Sequence, residues 1–293
     1  MSPRWYPAGM THALLNRTLK TAFLAVMLCI ATACAKPSVE ILAVANSGFL
    51  IRSTNHTVMV DALFRATAPY PKFAQQGPSE NLIDLMVSGG GAFEHVDLVL
   101  VTHAHPDHFH AQTVVDFLGI HHESVLVSTD EVAAAMAEVP GYEAVAERVI
   151  VPSLETGQCT SIDAGGIPTS VCRVMHSGAE TPNNIYVVEI DGFTFLHEGD
   201  AERTMENFCR VPIPAEGLDV AFLHDRFVFD PDTRKVLTET LNPRAVVLIH
   251  LRWDAAKATR KRIAELDPEV AENLPPITVF GAETARSTFQ PGE

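Results

Sequence analysis

Short runs of apolar and β-branched side chains open the ordered part of the chain. Residues 41–44, 49–52 and 57–60 are such runs, and Asn46-Ser47-Gly48 and Ser53-Thr54-Asn55-His56 between them carry turn chemistry, which predicts a meander. From 64 to 91 the pattern weakens under Pro69, Pro71, Pro78 and Gly89-Gly90-Gly91, predicting a long loop with one helix near 81–87. Beyond it, strand-like runs alternate with helical periodicity. A strand at 96–101 precedes a helix at 112–118, and a strand at 124–128 precedes a helix at 130–137, with Thr129 and Asp130 competing for the N-cap. Further strands are predicted at 148–151, 170–174, 184–190 and 193–196, the last two joined by an Asp191-Gly192 turn. Strands at 218–223, 245–249 and 277–280 and helices at 232–241 and 254–266 complete one mixed α/β domain over residues 38–290.

Residues 1–33 differ in kind. Arg4, Arg17 and Lys20 precede an apolar stretch at 21–33, and no acidic residue occurs before Glu40, which is the pattern of an export signal. The apolar stretch falls short of the roughly 20 residues that a membrane-spanning helix needs. Ala31-Thr32-Ala33 suits an ordinary signal peptidase, while Ala31-Thr32-Ala33-Cys34 resembles a bacterial lipobox, in which Cys34 would carry the lipid. The lipoprotein is the preferred expectation, with the domain periplasmic and tied to a membrane only through Cys34. Cys159, Cys172 and Cys209 remain in the domain, and export would permit their oxidation. Cys159 and Cys172 flank a Gly-containing stretch fit for a hairpin, leaving open a disulfide or two buried thiols.

The chain carries 36 acidic against 21 basic side chains, a net charge of -15. That balance repels phosphate backbones and sets nucleic acid aside as a partner.

The run 96–101 is nearly all apolar, as a strand buried on both faces should be, and it leads directly into Thr102-His103-Ala104-His105-Pro106-Asp107-His108-Phe109-His110. Four of the 13 histidines of the chain fall in that segment, at the C-terminal end of a strand, where open α/β sheets carry their chemistry. Neutral imidazole is a common ligand for zinc and similar metals, and a site needs three or four protein ligands per ion. His176, Asp200 and His250 each follow an apolar run and are the candidates to complete it.

The order His-x-His-x-Asp-His, a distant His, a Gly-Asp and a last His is similar to that of the metallo-β-lactamase superfamily. The general look is closer to its L-ascorbate-6-phosphate lactonase and N-acylphosphatidylethanolamine phospholipase D-like branches. The resemblance implies an αββα sandwich, two mixed sheets between outer helices. It implies two divalent ions, with Zn2+ expected first and Mn2+ or Fe as alternatives. His103, His105 and His176 would hold one, Asp107, His108 and His250 the other, and Asp200 would bridge them. A bridging hydroxide would attack an ester, lactone or phosphodiester bond in a small-molecule or lipid-like substrate. Zinc β-lactamases lack a bridging Asp at the Gly-Asp position, which leaves β-lactam hydrolysis as a minor alternative. Iron-dependent redox chemistry is another.

Asp107, Asp200 and His224 are the expected catalytic residues. Asp107 would pass a proton with its second oxygen or serve only as a ligand. His224 would contact substrate or protonate the leaving group, or be held by Asp225 for structure. His110 suits a supporting role or a helix start, His197 would pack or orient Asp200, and Asp61 with Asn46 and Ser47 would brace the metal loop. His121-His122 read as solvent exposed, and Glu202, Arg203 and Glu206 as the wet face of a helix. Arg252 and Trp253 would reach a pocket rim or pack. The oligomeric state stays open.

Overall fold

The opening meander forms as expected in the computed structural model, which describes residues 38–65, 77–176 and 179–290 besides Met1. The expected signal segment and Cys34 lie outside these residues. β1 (Val39–Ala43), β2 (Phe49–Arg52) and β3 (Thr57–Val60) pair antiparallel. α1 (Glu80–Val87) starts where the Ser79 hydroxyl accepts the Leu82 N–H. β4 (Leu98–Leu100), α2 (Ala111–Ile120), β5 (Val125–Val127), α3 (Asp130–Ala137) and β6 (Val149–Ile150) follow. Each helix returns the chain to the edge from which the previous strand began, so β3, β4, β5 and β6 pair in parallel. Thr129 caps α3 and wins the position over Asp130.

The second half starts with a second meander of β7 (Cys159–Ala164), β8 (Ile167–His176), β9 (Ala179–Ile190) and β10 (Phe193–His197). After α4 (Met205–Phe208), β11 (Val220–His224) pairs in parallel with β10. α5 (Arg226–Phe229) and α6 (Pro231–Lys235) run into a π-helical turn, Val236–Leu241, that ends at Asn242 in the left-handed region. β12 (Ala245–Ile249), α7 (Ala256–Ala264), α8 (Pro268–Ala271) and β13 (Ile277–Thr278) follow, and β14 (Arg286–Phe289) returns to pair with β1. Among the described residues the sheets are seven-stranded, in the orders β14-β1-β2-β3-β4-β5-β6 and β13-β12-β11-β10-β9-β8-β7.

Burial separates three apolar layers. Ile51, Val58, Leu98 and Leu100 meet Val171, Phe195, Phe222 and Val247 between the sheets. Leu82, Ile83, Val114, Phe117, Val132 and Met136 cover the outer face of the first sheet, while Phe208, Phe227, Leu237 and Ala256 cover that of the second. This is the expected αββα sandwich. Alternate strand residues serve the two cores, which is why the strands read as nearly unbroken apolar runs.

The pattern missed β7 and β14 because both are edge strands of mixed polarity, half-buried or exposed along much of their length. β8 also runs longer than the expected 170–174, because its first residues pair with β7. Cys159 and Cys172 lie directly opposite each other in that pairing and form a disulfide, which settles the alternative left by their spacing.

Tyr186 is the largest fully buried side chain among the described residues, and its hydroxyl lies 2.9 Å from Val101 O and 3.1 Å from Val127 O. A side chain of the second sheet thereby ties the strand ends of the first. Tyr186→Phe keeps the shape but removes this link between the sheets and the acceptor of the buried Asn184 carboxamide, and it should lower stability in urea unfolding by about 1–3 kcal/mol; an unchanged midpoint would remove this tie from the account.

Candidate metal centre

Strand direction decides which residues meet. β8, β10, β11 and β12 run the same way, since β8 and β10 are both antiparallel to β9 while β11 and β12 follow β10 in parallel. Their C-terminal ends carry His176, Asp200, His224 and His250, and the loop after β4 carries His103 to His108. Asp200 lies at the centre. Its Oδ2 is 4.0 Å from His103 Nε2, 3.5 Å from His176 Nε2 and 3.4 Å from His250 Nε2. Its Oδ1 is 3.4 Å from His108 Nε2 and 3.5 Å from His224 Nε2. Asp107 joins through Oδ2, 3.2 Å from His250 Nε2.

Ligand atoms bonded at about 2.1 Å to one tetrahedral ion stand about 3.4 Å apart, so these separations suit a set of atoms sharing cations. His103, His105, His176 and Asp200 bring donor atoms within 4.8 Å of one another, as do Asp107, His108 and His250, and again Asp200, His224 and His250. The first two sets are the divisions expected from the sequence. The third is new, because it adds His224 on the side of the second set. His103 Nε2, His108 Nε2 and Asp200 Oδ1 are buried without a hydrogen-bond partner, an expensive arrangement unless a cation lies between them. The residues present therefore fit divalent metal.

Behind the rings, His103, His105, His108 and His224 are anchored in the fold. Thr102 Oγ1 lies 2.9 Å from His103 Nδ1, and Asp61 Oδ2 lies 2.8 Å from His108 Nδ1. Asp61 also accepts from the Thr102 backbone N–H and hydroxyl at 2.8 and 2.7 Å, so the brace expected of it is present. Thr181 Oγ1 stands 3.4 Å from His105 Nε2. His224 meets Glu198, whose Oε1 accepts from the His224 backbone N–H and lies 2.8 Å from Nδ1. The partner is thus Glu198, and Asp225, the alternative holder offered by the sequence, faces Arg262 instead. Sequence reasoning passed over Glu198. Its one signal was a carboxylate two residues before Asp200 in a segment otherwise headed for burial.

Gly199 and His250 take the left-handed backbone region at φ 61 and 57. A Cβ on Gly199 would stand 2.7 Å from Thr102 Cβ, so only glycine lets this turn press against the metal loop. The His250 N–H donates to Asn46 O, so the first turn of the chain supports a non-glycine residue in that conformation.

Charge follows the same geometry. Burial works to raise the Asp200 carboxyl, but the surrounding His108, His176 and His250 outweigh it and hold the group well below the carboxylate range. Burial holds His103 well below its ordinary value and pushes His224 down to about 3, keeping both in the neutral form that binds metal. Burial opposes charge on His250 too, yet hydrogen bonds to Asp107 and Asp200 carry it up to about 9. Glu198, fully buried, is raised well above its ordinary value by burial.

The remaining candidates fall outside the cluster. His110 caps α2, its ring accepting the Thr113 N–H. His121 is buried rather than exposed, stacked on Phe117 at 3.9 Å and bonded to Met86 O, a correction that periodicity gave no hint of. Glu202 and Arg203 precede the short helix α4 instead of lining it. Arg252 is exposed and bonded to Asp254, and Trp253 packs against the core between the sheets.

The beta-lactamase superfamily domain family matches residues 40–250. The chain belongs to that family. Within its reach, a metal-dependent hydrolase of Pyrococcus furiosus is 27% identical over 68% of this chain and 90% of its own length. A metallo hydrolase of Ignicoccus hospitalis superposes with a TM-score of 0.57 at 16% identity, over 86% of this chain and 99% of its own. A diiron β-hydroxylase of Streptomyces venezuelae superposes with a TM-score of 0.55 at 14% identity, over 87% of this chain and 54% of its own. The two superpositions establish the shared fold.

His197 gives a pH test apart from the metal ligands. Its Nε2 donates to Ser47 O and its Nδ1 accepts the Gly199 N–H, and burial pushes it down to about 4 from 6.5. Between those values the unfolded chain binds a proton that the folded chain refuses, so stability falls as pH drops from 6.5 towards 4, by a limit on the order of 3 kcal/mol. Urea unfolding at about pH 7 and about pH 4.5 should show a smaller pH-dependent loss in His197→Gln than in the parent chain. Equal losses would mean that His197 carries its proton in the fold.

Proposed function

We propose that this chain is a metal-dependent hydrolase with two divalent ions, held by His103, His105 and His176 on one side and Asp107, His108 and His250 on the other, with Asp200 between them. The observation that carries the reading is Asp200, whose two oxygens face different sets of imidazole nitrogens. Repulsion between two dications is offset by one shared anion, and a carboxylate that is fully charged and already directed both ways is suited to that place. Thr181 engages Nε2 of His105, so Nδ1 is the nitrogen that this ring would give to the metal.

When bound, divalent ions supply an activated water near neutral pH and a Lewis acid for the substrate oxygen. The chain's own residues do the rest. Asp61 and Thr102 hold the His103 and His108 rings in one tautomer and one orientation. His224, fixed by Glu198 through Nδ1 and kept neutral by burial, turns the Nε2 lone pair towards Asp200, where it would take up a proton from the attacking water and then pass it to the leaving group. Asp107 has one oxygen near His250 and can orient the attacking water with the other.

The bond cleaved is an ester, lactone or phosphodiester in a small-molecule or lipid-like substrate. Zn2+ suits a nitrogen-rich donor set, and Mn2+ or Fe also accept it. The Cys159–Cys172 disulfide supports an oxidising compartment, in keeping with export through the N-terminal signal and an anchor at Cys34. A substrate from the cell envelope follows from that location.

Metal quantification on the purified protein, joined to a screen of chromogenic phosphodiester, lactone, ester and cephalosporin substrates, tests the reading. About two ions per chain and turnover of one of the first three classes are expected. Asp200→Ala and His105→Ala should lose all turnover with the fold intact, and retained activity in either would defeat the mechanism. Iron with oxygen-dependent chemistry and no hydrolysis would turn the assignment to redox, and cephalosporin turnover alone to a β-lactamase.

Asp61→Asn keeps the size of the brace but weakens its hold on His108. It should reduce metal affinity by about 10- to 100-fold, read by competition with a chromogenic chelator. Undiminished affinity would show that the ring stays oriented without the carboxylate.

A further inference from the structure

The cysteines of the domain are linked through the β7–β8 pair and the segment that lies on it. Cys159 and Cys172 are joined across the β7–β8 pair, with Cys159 half-buried and Cys172 buried. Cys209 is a free, exposed thiol. It belongs to a segment, 201–210, that lies against the same two strands. The Arg210 carbonyl oxygen, one residue past Cys209, is 3.3 Å from Cys159 Sγ, and Arg210 Nη1 donates to Gly157 O at 3.2 Å. At its other end the segment holds the strand that carries His176. Ala201 bridges to His176, and the Met175 carbonyl accepts from the Glu202 N–H at 2.9 Å and the Asn207 carboxamide at 3.2 Å. One strap thus runs from Asp200, over the end of β8, to the disulfide.

We propose that Cys209 is the exchange partner of this disulfide, and that the exchange pulls the strap away from His176. The Cys209 thiolate attacks Cys159 Sγ, the Cys159–Cys172 bond breaks, and its electron pair leaves on Cys172 Sγ, which takes up the proton that Cys209 gave up. One disulfide replaces another, and no external oxidant or reductant is consumed. The thiol of Cys209 is exposed and adjoins Arg210, whose carbonyl touches Cys159 Sγ, so half-buried Cys159 is the sulfur on its side of the bond and buried Cys172 the one left behind. To close on Cys159, Cys209 must give up its contact with Glu206 O at the end of α4. α4 is a single turn, and its Asn207 is one of the two donors on Met175 O. The strap therefore loosens where it supports β8, and His176 moves with it. The consequence for metal rests on the ligand role proposed for His176.

The test uses the full protein at about pH 8.5, where free thiols exchange without a strong oxidant. The protein is held with a trace of reduced glutathione, alkylated, digested without reduction and mapped by mass spectrometry. A Cys159–Cys209 peptide pair together with alkylated Cys172 is expected, with about a tenfold loss in metal retention during chelator challenge. Cys209→Ser should give neither the new pair nor the added metal loss. The proposal is overturned if Cys159–Cys172 persists while only Cys209 is alkylated, or if Cys209→Ser sheds metal under glutathione as fast as the parent chain. If the untreated protein holds no metal, the ligand assignment fails, and the peptide map still decides whether the exchange occurs.

Discussion

A charged carboxylate surrounded by imidazole nitrogens is the constraint on which this molecule is built. Asp200 is mostly buried, and the atoms that face it at 3.4 to 4.0 Å are ring nitrogens from five histidines on four separate stretches of chain. In a medium of low polarity such a group is stable only with positive charge shared among its members. The supporting features work to keep those nitrogens in place. The metal-loop residues press on the Gly199 turn, whose glycine has no side chain to obstruct them. The turn at Asn46-Ser47 receives the His250 N–H and the His197 ring.

Two sheets are needed because no one strand edge could supply the set. The first gives the loop after β4, where parallel neighbours on both sides keep the strand end still. The second gives the ends of β8, β10, β11 and β12, which the meander and crossovers set running one way. The apolar layer between the sheets and the Tyr186 hydroxyl fix one half against the other. Register across that layer is register between ligands, since a small slip would move His103 away from Asp200 by more than a metal–ligand bond allows.

The disulfide and the strap lie on the β7–β8 side of the second sheet, and β8 carries His176 from there into the metal centre. His176 is four residues from Cys172 on the same strand. A covalent staple near a ligand limits how far that strand end can drift, and it links the ligand to the redox conditions of the compartment. A thiol beside the staple makes that link adjustable.

The sequence by itself determined one mixed α/β domain and most central elements, because buried strands write unbroken apolar runs, while the resemblance of its His and Asp order to the superfamily implied the αββα class and the candidate ligands. His103, His105, Asp107 and His108 were legible as a cluster since they are neighbours in the chain, and Asp200 was legible from Gly199 beside it. Edge strands β7 and β14 escaped notice because their half-wet faces leave no such run. The tertiary structure decided what depends on partners distant in sequence. It paired Cys159 with Cys172, buried His121 under Phe117, and gave His224 to Glu198 instead of its neighbour Asp225. It also turned the two oxygens of Asp200 towards different histidines. Periodicity records which face a residue turns to the core, but which of two carboxylates meets a ring is set by strand register, and that exists only once the sheets have closed.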